Sequence, residues 1–218
     1  MSTLNIEQRF KDFVSQRHYP CPGAKSAVKF ERMRTCYVDD FRSVLDAEKV
    51  LESIYQFIDA YDSDQEMFLS LAVFFKQPLD LSEVDFERYL WLFLQRLHDL
   101  DSRHFSWAPN SSSNPANNDF SFSLGERKLF VIGMHPNSNR KARRFEVPLL
   151  VFNMHDQFQR LRESGDFERY QTTARKKDIT FSGSINPNLS DFGEASEARQ
   201  YSGRIVEENW TCPFKARG

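Results

Sequence analysis

Apolar residues recur at intervals of three and four along several parts of the chain, which predicts amphipathic helices. One such stripe runs through residues 44–61, and a second helix is predicted from Ser82 through Leu97. The hydroxyl of Ser82 can cap that helix, and Asp85 lies in its first turn, where the helix dipole favours a negative charge. The apolar face of this second helix is wide, so we expect burial on more than one side. A shorter helix is predicted for residues 6–14.

Short runs rich in β-branched and aromatic residues predict β-strands. Four such runs occur, at residues 69–75, 120–124, 128–134 and 147–152. The last three follow one another closely, so an antiparallel meander is the simplest arrangement. Two further helices are predicted, at residues 156–162 and 166–176, and the remaining tail shows no clear periodicity. The predicted fold class is therefore α+β: an antiparallel sheet with packed helices and a loop-rich C-terminal tail.

The length of 218 residues predicts a single domain, spanning residues 1–218, with one hydrophobic core. With 40% hydrophobic and 28% charged residues, the composition is ordinary for a folded globular protein. Inside this domain, residues 108–118 read APNSSSNPANN and contain no large apolar side chain. We therefore predict a mobile loop at 108–118.

The charge balance argues against a general polyanion binder. The chain has 29 Lys and Arg residues against 31 Asp and Glu, a formal net charge of -2, whereas nucleic acids and anionic membranes are bound by an excess of basic charge. The apolar runs are far shorter than the roughly 20 residues that cross a bilayer, and the first residues do not form a secretory signal. Three cysteines are an odd number, which favours reduced thiols. We predict a cytoplasmic protein without nucleic-acid or membrane partners.

Two histidines come shortly after predicted strands, where side chains are displayed at the end of a sheet. His135 is followed by Pro136, which blocks further strand pairing. Near it, the four cations within residues 140–144 would repel one another unless they are solvated or matched by a carboxylate or phosphate. An anion site and a solvated hairpin loop both remain open here. His155 follows the last predicted strand.

Other familiar signatures are missing or weak. The sequence contains no GxxxxGK[ST] phosphate loop, GxSxG elbow, HExxH zinc helix or CxxC pair. His98 and His104 would face different directions on a helix, so we interpret them, with Asp99 and Asp101 between them, as solvated surface rather than metal ligands. Cys21 and Cys212 each precede a proline, which suits either a buried structural thiol or an iron ligand.

Several longer strings carry a family resemblance. The conserved stretches of the YqcI/YcgG family resemble, in order, GMHPNSNRKARRF, PLLVFNMHDQF, RKKD, GSINPNLSDFGEASEARQYSGR and WTCPF, and its N-terminal motif resembles CPGAKSA. The strings are most similar to members named as heme-dependent N-hydroxylases of the guanitoxin pathway. Related members, one of them in D-cycloserine biosynthesis, hydroxylate a side-chain nitrogen of arginine or lysine. The resemblance implies a heme-dependent monooxygenase that N-hydroxylates a guanidine or amine nitrogen of a small molecule, with O2 and electrons from an unidentified reductase.

The implied heme b needs an axial ligand, an apolar slot and cations for its two propionates. Three side chains are candidates for the axial ligand: His135, His155 and Cys212. The slot and the propionate partners are expected among the following residues: Phe145, Phe152, Arg140, Arg143 and Arg144. If residues 128–134 and 147–153 pair as a hairpin, the two histidines lie at opposite ends, on the order of 20 Å apart, so only one can bind the iron.

For the substrate, the resemblance points to the C-terminal tail. A guanidinium group binds carboxylates and aromatic faces, and the candidates in the matching motif are Glu194, Glu197 and Tyr201. The alternative is that these are charges on a helix surface. Two other functions stay open: a heme-binding or heme-sensing protein without turnover, and a member that has lost heme and binds a small anion through residues 140–144.

Overall fold

The amphipathic stripes and short apolar runs fold into alternating helices and strands. The structure is a computed structural model, and it describes residues 3–61, 67–188 and 194–217. In chain order, the elements of these residues are α1 (Thr3–Ser15), α2 (Pro22–Lys29), β1 (Met33–Asp40), α3 (Val44–Asp59), β2 (Ser70–Gln77), α4 (Glu83–Asp101), β3 (Phe122–Leu124), β4 (Arg127–Met134), a short 3-10 turn (Lys141–Arg143), β5 (Leu149–Met154), α5 (Asp156–Glu163), α6 (Phe167–Ser182) and α7 (Ala198–Tyr201).

The predicted helices all form, and two of them, α3 and α4, begin at serine caps. The hydroxyl of Ser43 accepts the N–H of Asp46 at 3.1 Å to start α3, and that of Ser82 accepts the N–H of Asp85 at 3.0 Å to start α4. The second of these caps was predicted. Helix α4 is buried against α3, the sheet and the C-terminal tail. The expectation that it is covered on more than one side is confirmed.

The strands form one five-stranded sheet in the order β1-β2-β5-β4-β3. β3, β4 and β5 pair antiparallel, which confirms the predicted meander, and β2 also pairs antiparallel with β5. β1 pairs with β2 in parallel, and α3 provides the crossover between them. The fold is α+β, as predicted, with a mostly antiparallel sheet. Sequence reasoning missed β1 and α2, because the run MRTCYVDD alternates weakly and α2 has only 8 residues.

The two faces of the sheet are covered by different helices. α3 and α4 pack against the face that carries Leu71, Val73 and Phe152. α1 packs against the opposite face, around Phe74 and Val151, and α2, α5 and α6 extend this second layer. The result is three layers with the sheet in the middle.

One edge of the sheet is closed by the tail. β3 pairs only with residues 127–129, and α7 lies along the rest of β4. The hydroxyl of Tyr201 lies 3.4 Å from the carbonyl oxygen of Leu129, and the guanidinium of Arg143 donates to the carbonyl of Gly133 at 2.9 Å and to two carbonyls of α7. A Cβ atom at Gly133 would lie 2.7 Å from two side-chain atoms of α4 and 2.9 Å from a tail carbonyl, so only glycine allows this close approach.

The C-terminal end of α4 is buried, which overturns one surface interpretation. His98 and Asp101 are only 3% and 2% exposed, whereas His104 is exposed as predicted. The hydroxyl of Tyr55 donates to Asp101 at 2.8 Å, and the backbone N–H of Arg217 donates to Nε2 of His98 at 2.9 Å. The prediction was wrong because these covering groups come from positions far away in the sequence.

Residues 108–118 form a series of turns between α4 and β3. The backbone N–H of Ala108 donates to the hydroxyl of Ser123 at 2.8 Å, and the side-chain amide of Asn117 donates to that of Ser112 at 2.9 Å. These contacts define a folded loop, and its mobility stays a prediction. Across the described ranges, no helix combines the length and the apolar character needed to cross a bilayer.

Candidate functional site

A cavity of about 330 Å³ lies between the sheet and the helical layer formed by α1, α2, α5 and α6. Its floor is a row of four residues on four neighbouring strands, paired in register: Met33, Ser70, Asn153 and Phe130. The walls are largely apolar and aromatic. This volume falls in the range of about 300–1,000 Å³ that is typical of small-molecule sites.

The period of two along β5 aims alternate side chains at this cavity. Asn153 is on the strand, and His155 and Gln157 continue the alternation into the first turn of α5. Two hydrogen bonds fix the amides: Ser70 donates to Asn153 at 2.7 Å, and Gln157 donates to the carbonyl of Leu69 at 2.7 Å. The string FNMHDQF therefore supplies three polar groups to one wall.

His155 is the imidazole of the cavity, and a carboxylate holds it. Its ring is 5% exposed, and Nε2 lies 3.2 Å from Oε2 of Glu197, which also lines the cavity. The hydroxyl of Tyr201, behind the wall, donates to Oε1 of Glu197 at 2.5 Å. The structure thus connects three residues that the resemblance had assigned separately to metal and substrate. A histidine oriented by a carboxylate is the usual second-shell arrangement of a metal-binding imidazole.

Cys21 is a second potential iron donor in the same wall. It caps α2: its sulfur accepts the N–H of Ala24 at 3.4 Å, and Pro22 occupies the first helical position. Burial raises the pKa of the Cys21 thiol, and the two backbone N–H groups and the nearby Arg143 oppose that rise. The thiol is therefore protonated unless a ligand displaces the proton.

Two arginines line the cavity, and neither was predicted. Arg162 lies on α5 and Arg175 on α6. Burial lowers the pKa of Arg162, and the charge of Glu197 works against this shift. The cavity wall is therefore largely apolar, and the ionisable side chains of Arg162, Arg175, Glu197 and His155 occupy selected points on it. Such a wall suits a flat apolar ligand that carries anionic groups.

The predicted arginines of residues 140–144 line neither of the two described cavities. Arg140 forms a buried ion pair with Asp178 of α6 at 2.5 Å. Arg143 holds the sheet edge to α7, and burial lowers its pKa to about 10. Arg144 donates to the carbonyl of Ser138 at 2.7 Å. The expectation of an anionic partner is met for Arg140 by a carboxylate of the chain itself.

His135 lies on the other side of the sheet, away from the cavity. Its ring stacks on Phe86 of α4, with centroids 4.4 Å apart and planes 18° apart. It is 1% exposed, and its Nδ1 has no hydrogen-bond partner among the described residues. Burial lowers the pKa of His135 to about 4, so the ring is neutral near pH 7.

The two predicted phenylalanines of the slot also lie outside the cavity. Phe145 belongs to an aromatic cluster under α1, where its ring meets that of Phe10 edge-on at 5.1 Å. Phe152 is in the core between the sheet and α4. The aromatic residues that do line the cavity include Phe10, Phe68, Phe130, Phe158 and Tyr170.

A second, more open cleft of about 590 Å³ lies beside the first. Cys212 and Glu194 line it, together with Arg199, and burial raises the pKa of the Cys212 thiol to about 12. Asn118 and Ala195 line both cavities. The predicted residues therefore divide: His155 and Glu197 face the inner cavity, and Glu194 and Cys212 face the outer cleft.

The signals for the missed residues were present in the sequence. Arg175 lies within the string RKKD, and Asn153 and Gln157 flank His155 at steps of two. The alternation of a strand into a helix start could have placed these last three together. Nothing local distinguishes Arg162 from an exposed helix charge.

The described residues contain no group of three or more His, Cys, Asp and Glu side chains arranged to hold a bare metal ion. Neither the curated proteins nor the solved structures contain a significant match to the sequence. The family model described as the YqcI/YcgG family matches residues 10–215. This match includes both walls of the cavity and nearly the whole chain, so the protein belongs to the YqcI/YcgG family.

Proposed function

We propose that this protein is a heme-dependent monooxygenase that N-hydroxylates a guanidine or amine nitrogen of a small molecule. The similarity to the guanitoxin-pathway N-hydroxylases within the family motivates the reaction. One observation carries the proposal: an apolar cavity whose wall presents an imidazole, His155, held by the carboxylate of Glu197. We also propose a cytoplasmic location, where the three free thiols stay reduced.

The residues of the cavity fit heme b in kind. The macrocycle needs apolar and aromatic walls, which the floor residues and the aromatic side chains supply. The propionates need cations, and Arg162 and Arg175 offer guanidinium groups. Of the three predicted axial ligands, His155 lines this cavity, so we assign the axial position to it. Cys21, whose thiol faces the same cavity, is the alternative that the experiments below distinguish.

Bound heme supplies the one-electron and O2 chemistry of such a reaction. The overall reaction consumes one O2, two electrons and two protons per substrate molecule. One oxygen atom is inserted into an N–H bond of the substrate, and the other leaves as water. The electrons come from an external donor, which we propose to be a reductase.

The chain contributes by selecting the form of the substrate. A nitrogen must be unprotonated to be oxidised, and an apolar wall disfavours the charged form of an amine or guanidine. Both oxygens of Glu197 already have a partner: one accepts a hydrogen bond from Tyr201, and the other lies 3.2 Å from Nε2 of His155. We therefore propose that the main role of Glu197 is to orient His155. We also propose that the substrate nitrogen binds near Glu197 in its neutral form.

Reconstitution with hemin tests this proposal. The purified protein is expected to give a Soret band that saturates at one heme per chain and differs from the spectrum of hemin mixed with an unrelated protein. Supplied with O2, a reductant and arginine or cyclic guanidines, it is expected to yield a product heavier by one oxygen in mass spectrometry. Absence of specific heme binding would end the proposal. Heme binding without product would instead favour the non-catalytic heme-binding or heme-sensing function.

Three of the four cations in residues 140–144 have partners within the chain itself. Arg140 is paired with Asp178, and Arg143 and Arg144 donate to backbone carbonyls. These groups are used to hold the loop in place.

A further inference from the structure

A buried chain of hydrogen bonds leads from the tail helix α7 to the cavity wall. Tyr201 is 0% exposed, and its ring is stacked on Trp91 and edge-on to Phe130, each at a centroid distance of 5.6 Å. Its hydroxyl lies 2.5 Å from Oε1 of Glu197, and Oε2 of the same carboxylate lies 3.2 Å from Nε2 of His155. The rings of Trp91 and Phe130 therefore fix the position of the Tyr201 hydroxyl, which is the first donor in this series of hydrogen bonds.

The backbone sets the direction of the first hydrogen bond. The N–H of Phe122 donates to the oxygen of Tyr201 at 3.2 Å. A phenol has one proton to give, and the carboxylate of Glu197 at 2.5 Å is a stronger and closer acceptor than the carbonyl of Leu129 at 3.4 Å. Burial, and then the charge of Glu197, hold the pKa of Tyr201 well above its ordinary value, so the hydroxyl keeps its proton. Tyr201 therefore donates to Glu197.

The direction of the second bond follows from the first. An ionised carboxylate only accepts hydrogen bonds, so the proton between Glu197 and His155 belongs to the histidine, on Nε2. In a neutral imidazole the other nitrogen, Nδ1, then carries the lone pair. The order of donors along the chain thus determines which nitrogen of His155 is protonated.

We propose that Tyr201 and Glu197 are positioning residues that hold His155 as its Nε2–H tautomer, which leaves the electron pair of the ring on Nδ1. Sequence reasoning had assigned both residues to the substrate; here they act through the histidine. The identity of the acceptor that meets Nδ1 rests on the proposed function, whereas the tautomer itself does not. A carboxylate bonded to one imidazole nitrogen makes the other a stronger donor.

The tautomer can be measured in the full-length protein without heme. Nitrogen-15 NMR of histidine-labelled protein at about pH 8.5, where an ordinary imidazole is neutral, distinguishes a protonated Nε2 from a protonated Nδ1; the variant His155→Gln assigns the signal. The wild type is expected to show a single Nε2–H form at His155. A predominant Nδ1–H form, or an equal mixture, would overturn the proposal.

Two variants test the chain, and a third serves as a matched control. Glu197→Gln and Tyr201→Phe are expected to produce a detectable Nδ1–H population at His155, larger for Glu197→Gln because the amide both donates and accepts. Tyr55→Phe removes a similar bond from a tyrosine to a buried carboxylate, that of Asp101 at 2.8 Å, on the opposite face of the sheet. It should cost similar stability and leave the His155 tautomer unchanged. Equal behaviour of Tyr201→Phe and Tyr55→Phe would show a merely structural role.

A measurement on the hemin-reconstituted protein separates this inference from the proposed function. If His155 binds the iron, Glu197→Gln weakens its donor strength and should raise the reduction potential of the heme, with no change in Tyr55→Phe. If the tautomer results hold but the potential does not move, the positioning chain stands and the assignment of His155 to iron fails. If Glu197→Gln leaves the tautomer unchanged, the chain itself is refuted, whatever the heme does.

Discussion

The two ends of the β4–β5 hairpin carry histidines that look alike in the sequence and differ in chemistry. Both follow a strand and both are buried, with 1% exposure for His135 and 5% for His155. His135 packs flat against Phe86, and its Nδ1 finds no hydrogen-bond partner in the part of the chain that the structure describes, whereas His155 is bonded to Glu197 and lines a cavity. The comparison teaches that burial of an imidazole says little about its role. The hydrogen-bond partners of the imidazole and the open space beside its ring are more informative about that role.

The difference originates in the layers on the two faces of the sheet. Near His135 the sheet is pressed against α4, and Gly133 leaves no space even for a methyl group. Near His155 the covering elements are α5 and α6, which leave a cavity between themselves and the floor of the sheet. His135 is therefore enclosed by packed side chains, whereas His155 borders a cavity.

The largest expected effect is on heme binding. His155→Ala should abolish the native Soret band and weaken hemin binding by roughly 100-fold or more, because it removes the proposed ligand. His135→Ala should keep the band, since this ring does not reach the cavity. Absorption spectra and hemin titrations of both variants check the contrast. The reverse pattern would transfer the axial role to His135.

The next effect concerns the ion pairs at the two ends of the hairpin. Arg140→Ala should lower the free energy of unfolding by about 3–5 kcal/mol, because it leaves the buried carboxylate of Asp178 without its ion-pair partner. In the wild type, the side chains of Arg140 and Asp178 are only 7% and 8% exposed. Arg127→Ala removes an ion pair to Asp156 in which both side chains are 37% exposed, and should cost about 0.2–1 kcal/mol. Urea denaturation measures both. Similar losses would mean that the two ends are held with equal strength.

A smaller effect is the pH dependence that His135 brings to stability. Burial lowers its pKa from the ordinary 6.5 to about 4, so between these values the unfolded chain binds a proton that the folded chain does not. Stability from this group is therefore complete above pH 6.5 and is lost as the pH falls towards 4. His135→Phe keeps the stack on Phe86 and removes this linkage. When the pH is lowered from about 7 to about 4, the free energy of unfolding of the wild type should fall relative to that of the variant by on the order of 2 kcal/mol.

The smallest effect is expected from replacing Cys21, and it distinguishes the two candidate iron ligands of the inner cavity, His155 and Cys21. Cys21→Ala should retain the Soret band and lower stability by about 1 kcal/mol, as the loss of a helix cap does. The ferrous carbon monoxide spectrum of the wild type should be that of an imidazole-ligated heme. A thiolate-type spectrum that disappears in Cys21→Ala would assign the iron to Cys21 and leave His155 as a neighbouring group.

Sequence patterns were sufficient for features that are local. The stripes of α3 and α4, the cap at Ser82 and the meander all depend on neighbours within a few positions, and they form as predicted. The alternation around His155 is equally local, and it leads into the cavity. β1 was missed because its stability comes from parallel pairing with β2, a partner more than thirty positions away.

The roles of the arginines show why the rest of the site could not be predicted. Arg140 is neutralised by Asp178, and the bond joins residues 38 positions apart. The cations of the cavity, Arg162 and Arg175, have the same periodicity as ordinary surface charges on α5 and α6. A charge cluster in a sequence indicates that partners are needed, and only the fold shows whether the chain supplies them.

The shortness of strand β3 has a consequence for self-association of the protein. It leaves half of β4 to be covered by α7, the same helix that carries the tyrosine of the positioning chain. An uncovered strand edge is a template for pairing between molecules. Any change that detaches the tail should therefore both remove Glu197 from the cavity wall and expose a strand edge that promotes self-association.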